Sequence, residues 1–329
     1  MERVIPFPQI DPIALDLGFF QIRWYALAYI FGLILGWQYT AMFVRADRLW
    51  AEKDWRKFPR ETAYFVLPFV GWRIPHRRFS FDRKTRKNFQ VKAAATPEQI
   101  SDLLLWAALG VIVGGRLGYI FLYALWYPSL REYYLEEPIR ILFTWEGGMA
   151  FHGGLIGVVV AVILFARKNR LDPFRLADVM APAVPIGILF GRLANFINGE
   201  LWGKVTIVPW GVVFPHPEAG PLPRHPSQLY EAGLEGLVLF AILSLFAWKT
   251  RALHKRGFLL GVFLLCYGLS RILVEFFRET KDFIGSPDNW FTMGMLFSIP
   301  MALAGLAFIW IAMKRPELLP KTIWAAKKK

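Results

Sequence analysis

The sequence predicts an all-α polytopic membrane protein of about seven transmembrane helices, with the N-terminus outside and the C-terminus in the cytoplasm. Three observations predict it. Of the 329 residues, 55% are hydrophobic and 16% aromatic, and the mean hydropathy is +0.36. The apolar residues gather into runs near the ~20 residues that a helix needs to cross a bilayer. Finally, most Lys and Arg fall into the segments 45–92, 167–175 and 249–256 and the tail from 314, all on one side of the spans. The positive-inside bias makes that side cytoplasmic.

Spans are expected at about 20–44, 101–124, 149–166, 177–197, 229–248, 257–277 and 291–313, within a single integral-membrane domain covering 1–329. The formal charge of +14 then describes a basic cytoplasmic face beside anionic lipid, so membrane lipids are expected partners and nucleic acid is not.

The first span follows "MERVIPFPQIDPIALDLGFF", which has an acidic residue and prolines where a cleavable signal peptide needs a basic n-region. Residues 45–100 form a basic cytoplasmic insertion. Within it, "FPRETAYFVLPFVGW" (58–72) is interrupted by Glu61 and Pro68 and is too short to span, which suits an interfacial or re-entrant piece. The "RRFSFDRKTRKNFQ" that follows alternates basic and aromatic residues, as a surface against lipid head groups does. The tail 314–329 is basic and cytoplasmic.

Inside the spans, glycines recur four residues apart: Gly114 and Gly118, Gly153 and Gly157, Gly187 and Gly191, Gly257 and Gly261. That spacing lets helices approach closely in lipid and is read as packing. The outward segments 127–148 and 205–228 are rich in aromatics, prolines and polar residues and are expected to roof a cavity that opens outward.

Ionisable side chains inside spans carry the function. A charge near the bilayer centre costs on the order of 3 kcal/mol on insertion scales, so it is retained for a reason. Arg116 lies in "GGRLGY", His152 in "FHGGLIG", Arg192 in "GRLANF", and Arg271 with Glu275 in "YGLSRILVEFF". Arg192 and Asn195 are three apart and share a helical face, with Asn198 one turn on. Arg271 and Glu275 are four apart, and an intrahelical ion pair alone would let both sit in the membrane. Arg192 and Arg116 have no acidic neighbour at such spacing, so an anion on another helix or on a substrate is expected to meet them. Guanidinium presents a fork of donors matched to phosphate oxygens, and Asn195 and Asn198 suit a polyol. His152, beside two glycines, can accept a proton near neutral pH.

Other chemistries lack their parts. There is no Gly-x-Ser-x-Gly elbow, no His-Glu-x-x-His pair, no phosphate-cradling P-loop and no Cys/His cluster at metal spacing, so neither metal nor other cofactor is expected. The lone Cys266 reads as a small buried hydrophobe.

The stretch "GRLANFINGELWG" (191–203) resembles the signature of bacterial prolipoprotein diacylglyceryl transferases, matching at Gly191, Arg192, Ala194, Asn195, Phe196, Asn198, Glu200 and Gly203. "RWYAL" (23–27), "GGRLGY" (114–119), "GGMAFHGGLIG" (147–157), "LPRHPSQLYE" (222–231) and "YGLSRILVEFFR" (267–278) are similar to the family in the family's order, so the resemblance covers nearly the whole chain. It implies transfer of the diacylglyceryl group of phosphatidylglycerol to the lipobox cysteine thiol of preprolipoproteins, with a thioether formed and glycerol 1-phosphate released. It also implies a bacterial inner-membrane location. In that reaction Arg192, Arg271 and His152 would be catalytic. The arginines would hold the phosphate, and His152 would serve as base unless the arginine field alone lowers the thiol pKa. Tyr25, Asn195, Asn198, Glu200, Gly203 and Tyr267 would shape the substrate site. Glu275 would orient Arg271, and Arg116 would meet the lipid at an entrance.

The insertion at 45–100 is longer than that pattern leads one to expect, on the side opposite the expected reaction. Two rivals come from other classes. A transporter or channel for a phosphate-bearing solute would use the arginines as an anion site but should show broken helices and duplicated halves. An intramembrane protease should show a serine or paired-aspartate site, whereas Asp178 stands alone in its span.

Overall fold

The computed structural model describes residues 5–18, 21–50, 60–66, 73–79, 93–144, 147–279 and 291–315. Nearly all of the basic tail, and much of the 45–100 insertion, lie outside the described residues. Among the described residues six helices are long and apolar enough to cross a membrane, and a bent pair counted as one span makes seven. They are α1 (Trp24–Arg45), α2 (Pro97–Tyr119), α3 (Phe151–Lys168), the pair α4 (Pro173–Met180) and α5 (Val184–Ile197), α6 (Ser227–Lys249), α7 (Phe258–Glu275) and α8 (Met293–Lys314). This is the expected all-α, multi-pass membrane architecture. Leucines and isoleucines such as Leu105, Ile156 and Leu303 stand more than half exposed on these helices, as lipid-facing side chains do.

The expected span 177–197 is the one that differs in shape, because α4 and α5 meet at a 47° bend. The break reads "APAVP", and Pro182 and Pro185 supply no backbone N–H and cannot continue the preceding turn.

The chain divides into two compact units, residues 92–177 and the remainder. In the smaller unit, α2 opens on a capping box in which Thr96 Oγ1 accepts the Gln99 N–H and the Gln99 side chain accepts the Thr96 N–H. Its partner is α3, and glycines line the seam. A Cβ on Gly114 would lie 2.7 Å from Gly157 Cα, and one on Gly118 would lie 2.4 Å from Gly153 Cα, so neither helix tolerates a side chain there.

In the larger unit, α1 packs on α5, where a Cβ on Gly32 would lie 2.9 Å from Gly187 Cα. α7 packs on α8 through Gly261 and Gly305. Two of the expected packing glycines behave otherwise. A Cβ on Gly191 would meet nothing within 4 Å, and Gly257 has φ +80 and precedes α7 as its N-cap. Asp178 caps the same helix: its carboxylate accepts the Gly257 N–H at 2.6 Å and the Leu260 N–H at 2.9 Å. A buried carboxylate at a helix N-terminus is a structural role, which accounts for a lone aspartate in a span.

Short strands complete the unit. β1 (Ile5–Pro6) runs parallel to Val212–Val213, and β2 (Ile13–Asp16) pairs antiparallel with β3 (Gln21–Arg23). The 58–72 stretch, expected as an interfacial or re-entrant piece, contributes β4 (Arg60–Val66), which pairs antiparallel with β5 (Arg73–Phe79) in the register Arg60↔Phe79 to Val66↔Arg73.

Candidate active site

The larger unit gathers the polar side chains of its spans around one carboxylate. Glu231 opens a π-wound stretch of α6, Ala232–Val238, and is fully buried. Arg271 Nη1 on α7 donates to Glu231 Oε1 at 2.7 Å, and Arg278 Nη1, just beyond α7, approaches the same oxygen at 3.4 Å. Arg192 Nη1 on α5 lies 3.2 Å from Glu231 Oε2, and its Nη2 lies 3.5 Å from Glu235. Arg271 also reaches its own helix partner, with Nη2 2.7 Å from Glu275 Oε2. Thr292, the N-cap of α8, donates to the other Glu275 oxygen at 3.0 Å.

The expected intrahelical pair of Arg271 and Glu275 therefore exists, but it is half of what holds Arg271. The anion expected to meet Arg192 is found on another helix, as Glu231 and Glu235.

The depths of the two signs differ. The side chains of Glu231 and Glu235 are 0% exposed, whereas those of Arg192, Arg271 and Arg278 are 19%, 14% and 20% exposed. Carboxylates form the back of the cluster and guanidiniums its open side. A solvated anion approaching this cluster meets arginine first.

The signature stretch folds beside it. Past α5 the chain turns through Gly199 at φ +64 and Leu201 at φ +60, which swings Glu200 back toward the helix end. Glu200 Oε1 then accepts Asn195 Nδ2 at 2.7 Å and lies 3.4 Å from Asn198 Nδ2. The Glu200 carbonyl accepts Gln228 Nε2 at 2.6 Å, and the Leu201 carbonyl accepts Ser227 Oγ at 3.0 Å, tying the turn to the start of α6. Gly203 is held between two strands of backbone. Its N–H donates to the His225 carbonyl at 2.9 Å, and a Cβ there would lie 2.5 Å from the Phe277 carbonyl oxygen. Only glycine fits, and the fit brings Arg278 to the cluster.

Tyr25 and Tyr29 share a hydroxyl contact of 3.1 Å on the first turns of α1, and Tyr29 is within electrostatic range of Arg192 and Glu200. Tyr267, one turn before Arg271, stacks on Phe263 at 5.7 Å and feels the charges of Arg192, Arg271, Glu231 and Glu235. Above lies the loop between Glu200 and α6, where His225 Nδ1 is 3.0 Å from the Tyr230 hydroxyl. Burial, and then the nearby Lys204 charge, holds the His225 imidazole below its ordinary pKa.

Arg116 and His152 belong to the smaller unit. Arg116 is 4% exposed and donates to the carbonyls of Ile141 at 2.8 Å, Gly147 at 2.6 Å, Gly148 at 3.2 Å and Arg140 at 2.5 Å. Its guanidinium also lies 5.4 Å from the Tyr134 ring. Carbonyl dipoles meet this charge where an anion was expected, and Arg116 holds the backbone at 140–141 and 147–148 ahead of α3. Its neighbour Arg140 is held charged chiefly by the hydrogen bond to Glu137. His152 stands exposed in the first turn of α3, edge-on to Phe151 at 5.6 Å. Among the described residues, no three His, Cys, Asp or Glu side chains stand close enough together to hold a metal ion.

A model of the prolipoprotein diacylglyceryl transferase family matches residues 12–79 and 70–311. The chain belongs to that family. Among its relatives, the phosphatidylglycerol–prolipoprotein diacylglyceryl transferase of Rhizobium leguminosarum bv. trifolii is 46% identical over 305 residues, covering 92% of each chain. The protein of the same name from Caulobacter vibrioides is 44% identical over 329 residues, covering 94% of this chain and 96% of its own. That of Agrobacterium fabrum is 45% identical over 304 residues, covering 92% of each.

Membership of a transferase family displaces the transporter reading. It also sets the cluster beside what sequence reasoning omitted. Glu231, Glu235, Arg278 and Tyr29 were not singled out, although the rule that selected Arg271 and Glu275, an ionisable residue inside a span, selects both glutamates as well.

Proposed function

We propose that this enzyme transfers the sn-1,2-diacylglyceryl group of phosphatidylglycerol to the lipobox cysteine thiol of preprolipoproteins, forming a thioether and releasing glycerol 1-phosphate. The observation that carries the reading is the layered cluster: guanidiniums of Arg192 and Arg271 on the open side, with Glu231 and Glu235 fully buried behind them. In the reaction the thiol sulfur bonds to the glyceryl carbon that carries the phosphate. The C–O bond breaks with its electron pair on the phosphate oxygen, and the thiol proton passes to a base. Charge grows on the departing phosphate, and fixed guanidiniums stabilise it in a site where little water competes.

His152 serves as the base. Glu275 orients Arg271, and Tyr25, Asn195, Asn198, Glu200, Gly203 and Tyr267 shape the pocket for the glyceryl and head-group hydroxyls. Arg116 meets the lipid at an entrance, beside the backbone at 140–141 and 147–148 that it holds. The chain works as one transferase domain of the bacterial inner membrane, N-terminus outside. The 45–100 insertion and the basic tail face the cytoplasm, where anionic lipid accounts for the charge and nucleic acid has no part.

The test is direct. Purified protein in detergent is incubated with phosphatidylglycerol and a lipobox peptide, and the peptide is examined by mass spectrometry. A diacylglyceryl adduct on cysteine that disappears with Arg192→Ala supports the reading, and His152→Gln reports on the base. No adduct from folded wild type would overturn it.

A further inference from the structure

Glu235 differs from the other carboxylates of the cluster. Glu231 is shared by three arginines, and Glu275 is clasped by Arg271 and Thr292. Both oxygens of Glu235 are buried, and neither has a partner at hydrogen-bond geometry among the described residues. Among the described residues its ion pair is with Arg192, at 3.5 Å, too long for a good hydrogen bond, with Arg271 in electrostatic range beyond it. An unsatisfied buried carboxylate is costly, and a second carboxylate one turn away at Glu231 adds repulsion.

The two catalytic arginines are consequently held in different ways. Arg271 is fixed by a hydrogen bond to Glu231 at 2.7 Å and by a close ion pair with Glu275, also at 2.7 Å, although that pair lacks the alignment of a hydrogen bond. Arg192 lies 3.2 Å from Glu231 without the alignment of a hydrogen bond, and 3.5 Å from Glu235. Arg271 is a post, and Arg192 is a loosely tethered arm with donors to spare. Around Glu235, Arg192 comes from α5, Arg271 and Tyr267 from α7, and Glu231 from its own helix.

We propose that Glu235 is a positioning residue that competes with phosphate for Arg192 and thereby frees the phosphate product after transfer. The inference rests on the reaction proposed above. There the lipid enters as a phosphodiester with one negative charge. The product leaves as a phosphate monoester carrying up to two, so the arginines hold product more tightly than substrate. A carboxylate waiting within reach of Arg192 offers its donors another partner and weakens binding of every phosphate ligand. Removing that competition strengthens ground-state and product binding alike, which lowers KM without helping kcat.

The experiment measures binding of glycerol 1-phosphate to the full-length protein in detergent by calorimetry, beside KM and kcat for phosphatidylglycerol. Glu235→Gln should tighten product binding about tenfold, a change of about 1.4 kcal/mol. KM and kcat should fall together. Glu235→Asp, whose carboxylate is withdrawn by one methylene, should give an intermediate change of the same sign and supplies the test if the glutamine variant does not fold. Unchanged or weaker product binding in the folded variants would overturn the role of Glu235 and leave the reaction standing. A wild type that neither binds glycerol 1-phosphate nor transfers would overturn both. A purely structural role would reduce the folded fraction and leave the affinity of the remainder as it was.

Discussion

Arg271 Nη1 donates to the buried carboxylate of Glu231 across 2.7 Å, joining α7 to α6 at the centre of the arginine cluster. Because Arg192 and Arg278 lean on the same carboxylate, Glu231 is the hinge of the site's electrostatics. Glu231→Ala leaves three guanidiniums facing one another with their common partner gone. Breaking such a buried pair costs on the order of 3–5 kcal/mol, so thermal unfolding in detergent should occur at markedly lower temperature. Transfer should be lost even at temperatures where the variant stays folded.

Arg271 uses separate nitrogens for Glu231 and Glu275, both at 2.7 Å. A lysine has the charge but not the fork. Arg271→Lys should therefore fold yet lower kcat by about 100-fold or more, the scale of losing one preorganised donor. KM for phosphatidylglycerol should move much less, and steady-state kinetics separates the two.

Gly203→Ala tests the threading of the signature stretch. Its methyl group would sit 2.5 Å from the Phe277 carbonyl oxygen and 2.6 Å from that of His225, and neither is the yielding end of a side chain. Overpacking of this kind costs about 1–3 kcal/mol. The melting temperature should drop, and hydrogen exchange should rise in the backbone on both sides, around 203–205 and 224–226.

Much of this site was legible because the chain spells it contiguously. Arg192, Asn195, Asn198, Glu200 and Gly203 lie within one stretch, and the excess of polar side chains at a span's end announces itself. Arg271 and Glu275 were legible from their four-residue spacing. Glu231 and Glu235 have that spacing too, but they lie in a span on the far side of a proline-rich loop, and their partners are on other helices. Pairing across helices leaves no periodicity in the sequence, so which cation meets which anion was hidden. The bend at Pro182 and Pro185 had its signal in the prolines, yet hydropathy runs straight through it. The β4–β5 pairing was out of reach for a different reason: a short apolar run does not distinguish strand from interfacial helix.

The loop before α6 should respond to acid. His225 has a folded pKa below its unfolded value near 6.5, first through burial and then through Lys204. A depressed pKa favours the neutral form in the folded loop. The stabilisation is present above about pH 6.5 and is lost as the pH falls through the folded value. An NMR titration with labelled histidine should find His225 below its free value. Lys204→Gln should move it back upward, and protease sensitivity of 204–226 should increase on acidification.

The lipid phosphate is expected on the open side of the arginine cluster. An experimental structure of the protein with phosphatidylglycerol bound tests it most directly. The phosphate oxygens should lie about 3 Å from guanidinium nitrogens of both Arg192 and Arg271, the range of charge-assisted hydrogen bonds. Glu231 and Glu235 should remain behind them. A phosphate bound elsewhere, with Arg192 and Arg271 still turned to their glutamates, would rule out the arginine cluster as the phosphate site.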